Sequence, residues 1–307
     1  MLSNLSNKKL LVIFGILLIV VVVFFISDSN KEERTFKSTL VDIDTTSVTA
    51  VKIYPKKTNH EEVSLIKNND SWSVTLDNGK IVSVSDSKMK NLFNELLAIK
   101  AKRLAARGES KWNELQVDTT GTRVAVYEGS DKVLDIVIGK IRFQQPRSVS
   151  TYVRLTDDQD VYEVDGFLEM SFNQDANYFR NSTIIKDDFN NWSRLSFEYP
   201  ADSSFQVAKQ GDNWFLNGSK TDSAKTVSTL RQLANISGSE FVDTSFSGAI
   251  PYKLTIDSEK LGEIVIEGYV SGGKKYIHSS QNPEAVFDVT KNKLFDRVFI
   301  SKSKFFK

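Results

Sequence analysis

The sequence predicts an α+β fold class: an N-terminal single transmembrane helix, then two tandem sheet-plus-helix units related by internal duplication. Three observations carry this. Residues Leu10 to Ile26 read LLVIFGILLIVVVVFFI without one charged side chain. Beyond them, short alternating runs bounded by turn residues read as strands and apolar stripes at helical spacing read as helices. That order of elements then occurs twice.

The apolar run comes first. At about 1.5 Å per residue it reaches roughly 25 Å, a little short of a ~30 Å hydrocarbon core. Lys8 and Lys9 snorkelling in front, with Ser27-Asp28-Ser29 behind, can cover the remainder. A cleaved signal peptide is the alternative, since Ser27-Asp28-Ser29 has a small-x-small pattern; signal cores span roughly 7–15 residues, and this run is longer. The reading is a retained anchor, represented by Leu10, Gly15, Val20 and Ile26. Lys31, Arg34 and Lys37 blur the charge asymmetry, but the head of residues 1–9 is too short to be a domain. The expected topology is therefore a cytoplasmic head and an extracytoplasmic, periplasmic body on the cytoplasmic (inner) membrane.

Composition bounds the rest. The 307 residues hold 40 Lys+Arg, 39 Asp+Glu and no cysteine. Lys8 and Lys9 are the only charges in residues 1–26, so the body carries 38 basic against 39 acidic side chains. So neutral a body has no bulk field to hold nucleic acid. Without cysteine there is neither a disulfide nor a lipid-bearing cysteine.

Residues 27–47 are polar, without sustained periodicity, and read as a tether. Val48–Tyr54 alternates and stops at Pro55. Val63-Ser-Leu-Ile, the Asn68-Asn69-Asp70 turn and Trp72-Ser-Val-Thr-Leu read as a hairpin. Ser85 or Asp86 can cap a helix whose Met89, Leu92, Phe93, Leu96 and Leu97 form one stripe. Four strand-like runs follow: Arg123–Tyr127, Val133–Ile138, Tyr152–Leu155 and Val161–Val164. Tyr199-Pro200 then answers Tyr54-Pro55, and Trp214 answers Trp72. A second helix from about Asp222 sets Leu230, Leu233 and Ile236 against Phe93, Leu96 and Ile99. Lys260–Ile266 answers Lys132–Ile138, and Val286–Val289 answers Val161–Val164. The offset shrinks steadily, from 145 to 125 residues, as it does when a second copy has shorter loops. The expected division is a first unit Val48–Met170, a connector Ser171–Asn191, a second unit Trp192–Phe299 and a basic tail, residues 300–307.

Few residues advertise chemistry. His60 lies in a charged loop and His278 in a strand opposite Ile277; neither has metal-ligand spacing. Asp157, Asp158 and Asp160 lack the glycine and bidentate Glu of a calcium loop. No GxSxG, GxxxxGK[ST] or GxGxxG occurs, and no pair of carboxylates is singled out for acid–base work. Lys100, Lys102, Arg103 and Arg107 form the one basic cluster, read as a solvated helix end. Trp72 and Trp214 read as buried core anchors. No catalytic, cofactor or metal residue is expected, and no cofactor.

The anchor, Val51-Lys-Ile-Tyr, Lys67-Asn-Asn-Asp-Ser-Trp-Ser-Val, the helix ending near Leu96-Leu97 and Leu134-Asp-Ile-Val-Ile-Gly form a recognisable series. With Thr151-Tyr-Val-Arg, Val161-Tyr-Glu-Val and Tyr178-Phe-Arg, it resembles a bacterial family known as domain-of-unknown-function family 4340. The resemblance covers most of residues 10–180, and the second repeat more faintly. Arg142–Ser150 replaces the short glycine-bearing turn usual in the family. The resemblance implies a single-pass envelope protein of the kind encoded beside ABC transporter permeases and ATPases, including those called gliding-motility type. The expected function is a membrane-tethered, non-enzymatic extracytoplasmic auxiliary or binding protein associated with such a transporter. Two alternatives stand beside it: an exported hydrolase built from scattered carboxylates, and a glycan- or solute-binding envelope module.

Overall fold

The computed structural model describes residues 14–18, 37–144, 148–243 and 251–306. The expected anchor lies outside these residues except for 14–18, a helical piece (α1) that includes Gly15. Among the described residues no helix is long and apolar enough to cross a membrane.

The first half of the chain lays down nine strands. They are β1 (Ala50–Tyr54), β2 (Val63–Asn68), β3 (Ser71–Thr75), β4 (Ile81–Ser83), β5 (Ala101–Ala106), β6 (Thr122–Glu128), β7 (Asp131–Gln144), β8 (Ser148–Leu155) and β9 (Val161–Asp165). One sheet takes them in the order β4-β3-β2-β1-β6-β7-β8-β9-β5. Helix α2 (Asp86–Leu97) joins β4 to β5, and its stripe Met89, Leu92 and Leu96 is buried. The β2–β3 turn has Asn69 at φ 55°, a left-handed conformation that asparagine tolerates. Short helices α3 (Trp112–Leu115), α4 (Glu169–Phe172) and α5 (Ala176–Phe179) complete this half.

The second half begins with β10 (Thr183–Lys186), then β11 (Trp192–Glu198), β12 (Phe205–Gln210), β13 (Asn213–Leu216) and β14 (Ser219–Lys220). After helix α6 (Ser223–Leu233) come β15 (Asn235–Ser237), β16 (Phe241–Val242), β17 (Tyr252–Ser258), β18 (Gly262–Ser271), β19 (Lys274–Ser279) and β20 (Asn282–Asp288), then α7 (Leu294–Val298). Its nine-stranded sheet runs β14-β13-β12-β11-β17-β18-β19-β20-β16, the order of the first sheet strand for strand. Asp222 caps α6 by accepting from the Lys225 N–H at 3.0 Å. Leu230, Leu233, Phe197, Phe205 and Phe305 share one core, so the described chain is held in place as far as Phe305.

The α+β fold class is corrected by these elements; the transmembrane helix expected with it lies outside the described residues except for 14–18. The described residues are mostly β, in two large antiparallel sheets with a two-stranded β10–β15 pair. The reason lies in the arithmetic of the repeat: each copy spends one helix of 12 or 11 residues, and otherwise only α-helices of four or five, against nine strands. By contact the chain divides into two compact units, Met1–Ser64 with Lys90–Asp175, and Leu65–Met89 with Ala176–Lys307.

Within the first of these units the sheet is covered on both faces around β8 and β9. Six consecutive residues of β8 and four of β9 are buried, instead of every second one. The connection from β5 to β6, which carries α3, supplies the second cover: Leu115 and Val117 pack on Val137, Tyr152 and Val161, with Trp112 alongside. A close approach makes this work. A Cβ on Gly121 would lie 2.3 Å from the Gln116 carbonyl oxygen, and one on Gly139 2.3 Å from that of Leu115. Only hydrogen fits at either place.

The β7–β8 ladder continues past the bulge to Arg142↔Ser150, Phe143↔Val149 and Gln144↔Ser148. The stretch that departs from the family's short turn is thus an extended two-stranded arm, apart from residues 145–147, which lie outside the described residues.

Candidate functional site

The sheet face beside the α3 segment holds a cleft of about 790 Å³ in the first unit. Its floor is a single cross-strand row. Tyr54 on β1 stands opposite Arg123 on β6, Arg123 opposite Val137 on β7, and Val137 opposite Arg154 on β8. Directly opposed residues point to the same face, so antiparallel register alone gathers these side chains. Asp135, two residues before Val137, shares that face. The walls add His60, Trp112, Lys132, Thr156 and the turn from Asp118 to Gly121.

Most of the charge here is matched. Arg123 grips Asp135 with two bonds, Nε to Oδ1 at 2.8 Å and Nη2 to Oδ2 at 2.6 Å, and Lys132 Nζ joins at 2.5 Å. Burial pushes the Asp135 carboxyl up, but the hydrogen bonds from Arg123 and Lys132 outweigh it, and the net shift is below the usual aspartate range. Asp118 is held low chiefly by the Thr120 hydroxyl at 2.6 Å, helped by the Thr120 N–H and by Asn113. Burial, then the hydrogen bond given to Glu62 at 2.7 Å, pushes Tyr54 up to about 12. At neutral pH it is a phenol that donates. Neither Asp118 nor Asp135 is a carboxylic acid there.

Arg154 is the exception. Only 7 % exposed, it meets backbone carbonyls rather than a carboxylate. Its Nε donates to the Val117 oxygen at 2.9 Å, and its Nη1 to those of Leu155, Asp158 and Thr156 at 3.0, 3.2 and 3.4 Å. The guanidinium stacks on Trp112, 3.9 Å from the ring centroid, and the indole donates to the Gln159 oxygen at 3.0 Å. The Arg–Trp pair fastens the α3 segment to the sheet and forms the cleft's inner wall.

Of the residues singled out in the sequence, only His60 reaches this cleft, its Nδ1 3.4 Å from the Tyr54 oxygen. His278 lies on β19, beside Glu267 at 3.2 Å. Asp158 accepts from the Tyr162 hydroxyl at 2.6 Å and the Asp160 N–H at 3.0 Å, which is turn chemistry. Among the described residues no cluster of three or more His, Asp or Glu side chains can hold a metal ion. Of the basic cluster, Lys102 and Arg103 lie on the edge strand β5 rather than at a helix end, with Lys100 and Arg107 flanking it. Lys102 pairs with Asp165 at 2.8 Å, and Arg103 meets the buried Glu163, which also accepts from Ser150 at 2.7 Å. Trp72 is buried as expected, whereas Trp214 is only half-buried. Leu10, Val20 and Ile26 lie outside the described residues.

The sequence reading missed Arg123, Asp135 and Arg154 as a set. The signal was present: Asp135 and Arg154 are lone charges inside apolar runs, at Leu134-Asp-Ile-Val-Ile and Tyr152-Val-Arg-Leu, and Arg123 opens one, at Arg123-Val-Ala-Val. A charge amid a strand buried on both faces needs a partner or a purpose.

No curated protein and no solved structure matches the chain. Residues 72–257 match the family described as "Domain of unknown function (DUF4340)", which is more than half of the chain, and the protein belongs to that family.

Proposed function

We propose that this protein is a non-enzymatic binding subunit, held at the outer face of the cytoplasmic membrane by the apolar run Leu10–Ile26 and working beside the permease and ATPase of an ABC transporter. One observation supports binding over catalysis: both cleft carboxylates, Asp118 and Asp135, are held ionised by donors that occupy them. A hydrolase built on two carboxylates needs one carboxyl kept protonated near neutral pH, opposite another that is not. The cleft has no such contrast.

The tether expected over residues 27–47 is shortened by the structure: Thr39 bridges to Lys100, the Ala101 N–H donates to the Ser38 oxygen at 3.0 Å, and Leu40 and Val41 are buried, so these residues belong to the first unit. The transporter association rests on the family resemblance. Crosslinking in native membranes, followed by gentle solubilisation and identification of what co-purifies, tests it. A permease or ATPase in the eluate supports the proposal; the protein alone, with no transporter component, overturns it.

The cleft also favours a solute-binding role within that assembly. A volume near 790 Å³ is in the range of small-molecule sites, and Trp112 and Tyr54 give it aromatic walls.

A further inference from the structure

The cleft's lining carries three positive side chains against two carboxylates, and Arg154 is the cation among them that touches no carboxylate. Arg123, Lys132 and Arg154 face Asp118 and Asp135, with His60 at the margin. Arg123 and Lys132 both converge on Asp135. Asp118 is engaged by its own turn, through Thr120 and Asn113. Arg154 is left with carbonyl oxygens, which satisfy hydrogen bonds but carry no net charge. Burying an ion without a counter-ion is costly, even after relaxation. Burial dominates the surroundings of Arg154, and the more distant carboxylates of Asp135, Asp158, Glu109 and Asp118 only partly offset it.

The hydrogen-bond pattern gives this charge a direction. The bonds to protein use Nε and Nη1. Among the described residues no fully buried side-chain nitrogen lacks a partner, so Nη2 is not sealed in; it opens on the cleft that Arg154 lines. The stack on Trp112 and the three carbonyls on Nη1 fix the guanidinium plane, so little entropy remains to be lost on binding.

We propose that the cleft binds a small soluble solute through an oxyanion, a carboxylate or phosphate group, held on the free edge of Arg154 between the walls of Trp112 and Tyr54. The proposal rests on the binding-subunit reading, but it concerns the ligand and not the transporter partner. Thr119 supplies a hydroxyl beside the anion, that of Thr156 being engaged by the Asp135 carbonyl oxygen at 3.3 Å, and Lys132 supplies a second positive charge at the rim. Asp118 is the one opposing charge that no cation in the cleft neutralises, and it sets the affinity from the other side.

Titration of the full chain in nonionic-detergent micelles, at low salt, tests this by calorimetry with inorganic phosphate, acetate and glucose as probes. Saturable 1:1 binding of phosphate or acetate is expected. Arg154→Gln removes a charge-assisted bond and weakens binding about 10-fold or more. Asp118→Asn keeps the turn's acceptor, removes the repulsion and tightens binding about 2- to 5-fold. Should Arg154→Gln fail to fold, the Asp118→Asn gain decides alone, since a purely structural Asp118 would not produce it. Heats that do not saturate, or anion affinity unmoved by Asp118→Asn, overturn the proposal. Glucose bound without phosphate or acetate leaves the binding subunit standing and removes the oxyanion. Binding confined to vesicles of phosphatidylglycerol, with none to free anions, removes the soluble solute. Anion binding with these mutational responses, in a protein that co-purifies with no transporter, keeps the ligand assignment and ends the transporter reading.

Discussion

Trp72 and Trp214 stand at the same register position of equivalent hairpins, opposite Lys67 and Lys209, yet Trp72 is buried and Trp214 half-open. The two sheets share a strand order, but the cover over this corner differs between the copies. Truncating a fully buried tryptophan to alanine costs about 3–5 kcal/mol. Trp72→Ala is expected to approach that range, and Trp214→Ala to cost about half as much. Urea unfolding midpoints of the two variants measure this. Equal losses would mean that local packing, not exposure, sets the cost.

Much of the strand order was legible because alternation survives where one face is wet. Val51 and Ile53 are buried while Ala50, Lys52 and Tyr54 are less so, and β1 ends at the residue before Pro55, as read. Asn69 and Asp222 marked a turn and a cap by side-chain chemistry that acts locally. The cleft was not legible, for two reasons. Its row Tyr54–Arg123–Val137–Arg154 joins residues up to 100 positions apart, and register between distant strands leaves no local trace. Its second wall comes from Trp112 and α3, a segment too short to show a period. The overall balance was misjudged because two clear helical stripes drew more weight than many short strands.

Gly121 and Gly139 are expected to be the positions that decide whether α3 seats on the sheet. Both have ordinary backbone angles, so the requirement is space: each added Cβ would meet a backbone carbonyl, which cannot rotate away. Overpacking of this kind costs about 1–3 kcal/mol. Gly121→Ala and Gly139→Ala should each destabilise the fold by that order and loosen the Arg154–Trp112 stack. Quenching of tryptophan fluorescence by acrylamide reads the second effect. A variant as stable as wild type, with unchanged quenching, would show that the segment yields freely.

Asp135 links the cleft to acid stability. Its carboxyl is depressed in the folded state by Arg123 and Lys132, against burial. In the unfolded chain it returns to about 4. A group whose folded value is the lower one contributes stability that is fully present above the unfolded value and fades as pH falls through the folded one. The buried Glu163 follows the same rule, held low by Ser150, Arg103 and Arg142 against its own burial. Denaturant unfolding from pH 6 downward should therefore show stability falling below about pH 4. Asp135→Asn should lower stability at pH 6 and flatten the slope. An unchanged slope would mean that the ion pair does not persist in solution.

The last prediction concerns the apolar run. On an insertion scale, Leu, Ile, Phe and Val each contribute about −0.3 to −0.6 kcal/mol at a membrane centre. The 17 residues Leu10–Ile26 contain only Gly15 outside that set, so insertion is favoured on the order of 5 kcal/mol or more. Peripheral attachment through charge has no counterpart in a body of nearly zero net charge. The full chain should therefore remain with membranes through alkaline carbonate washing, and residues 27–307 produced alone should be released. Protease added to spheroplasts should digest the body from outside and leave a small protected N-terminal fragment. A body that survives in intact spheroplasts and is cut only after lysis would reverse the proposed orientation, since the head of residues 1–9 would then be the part outside.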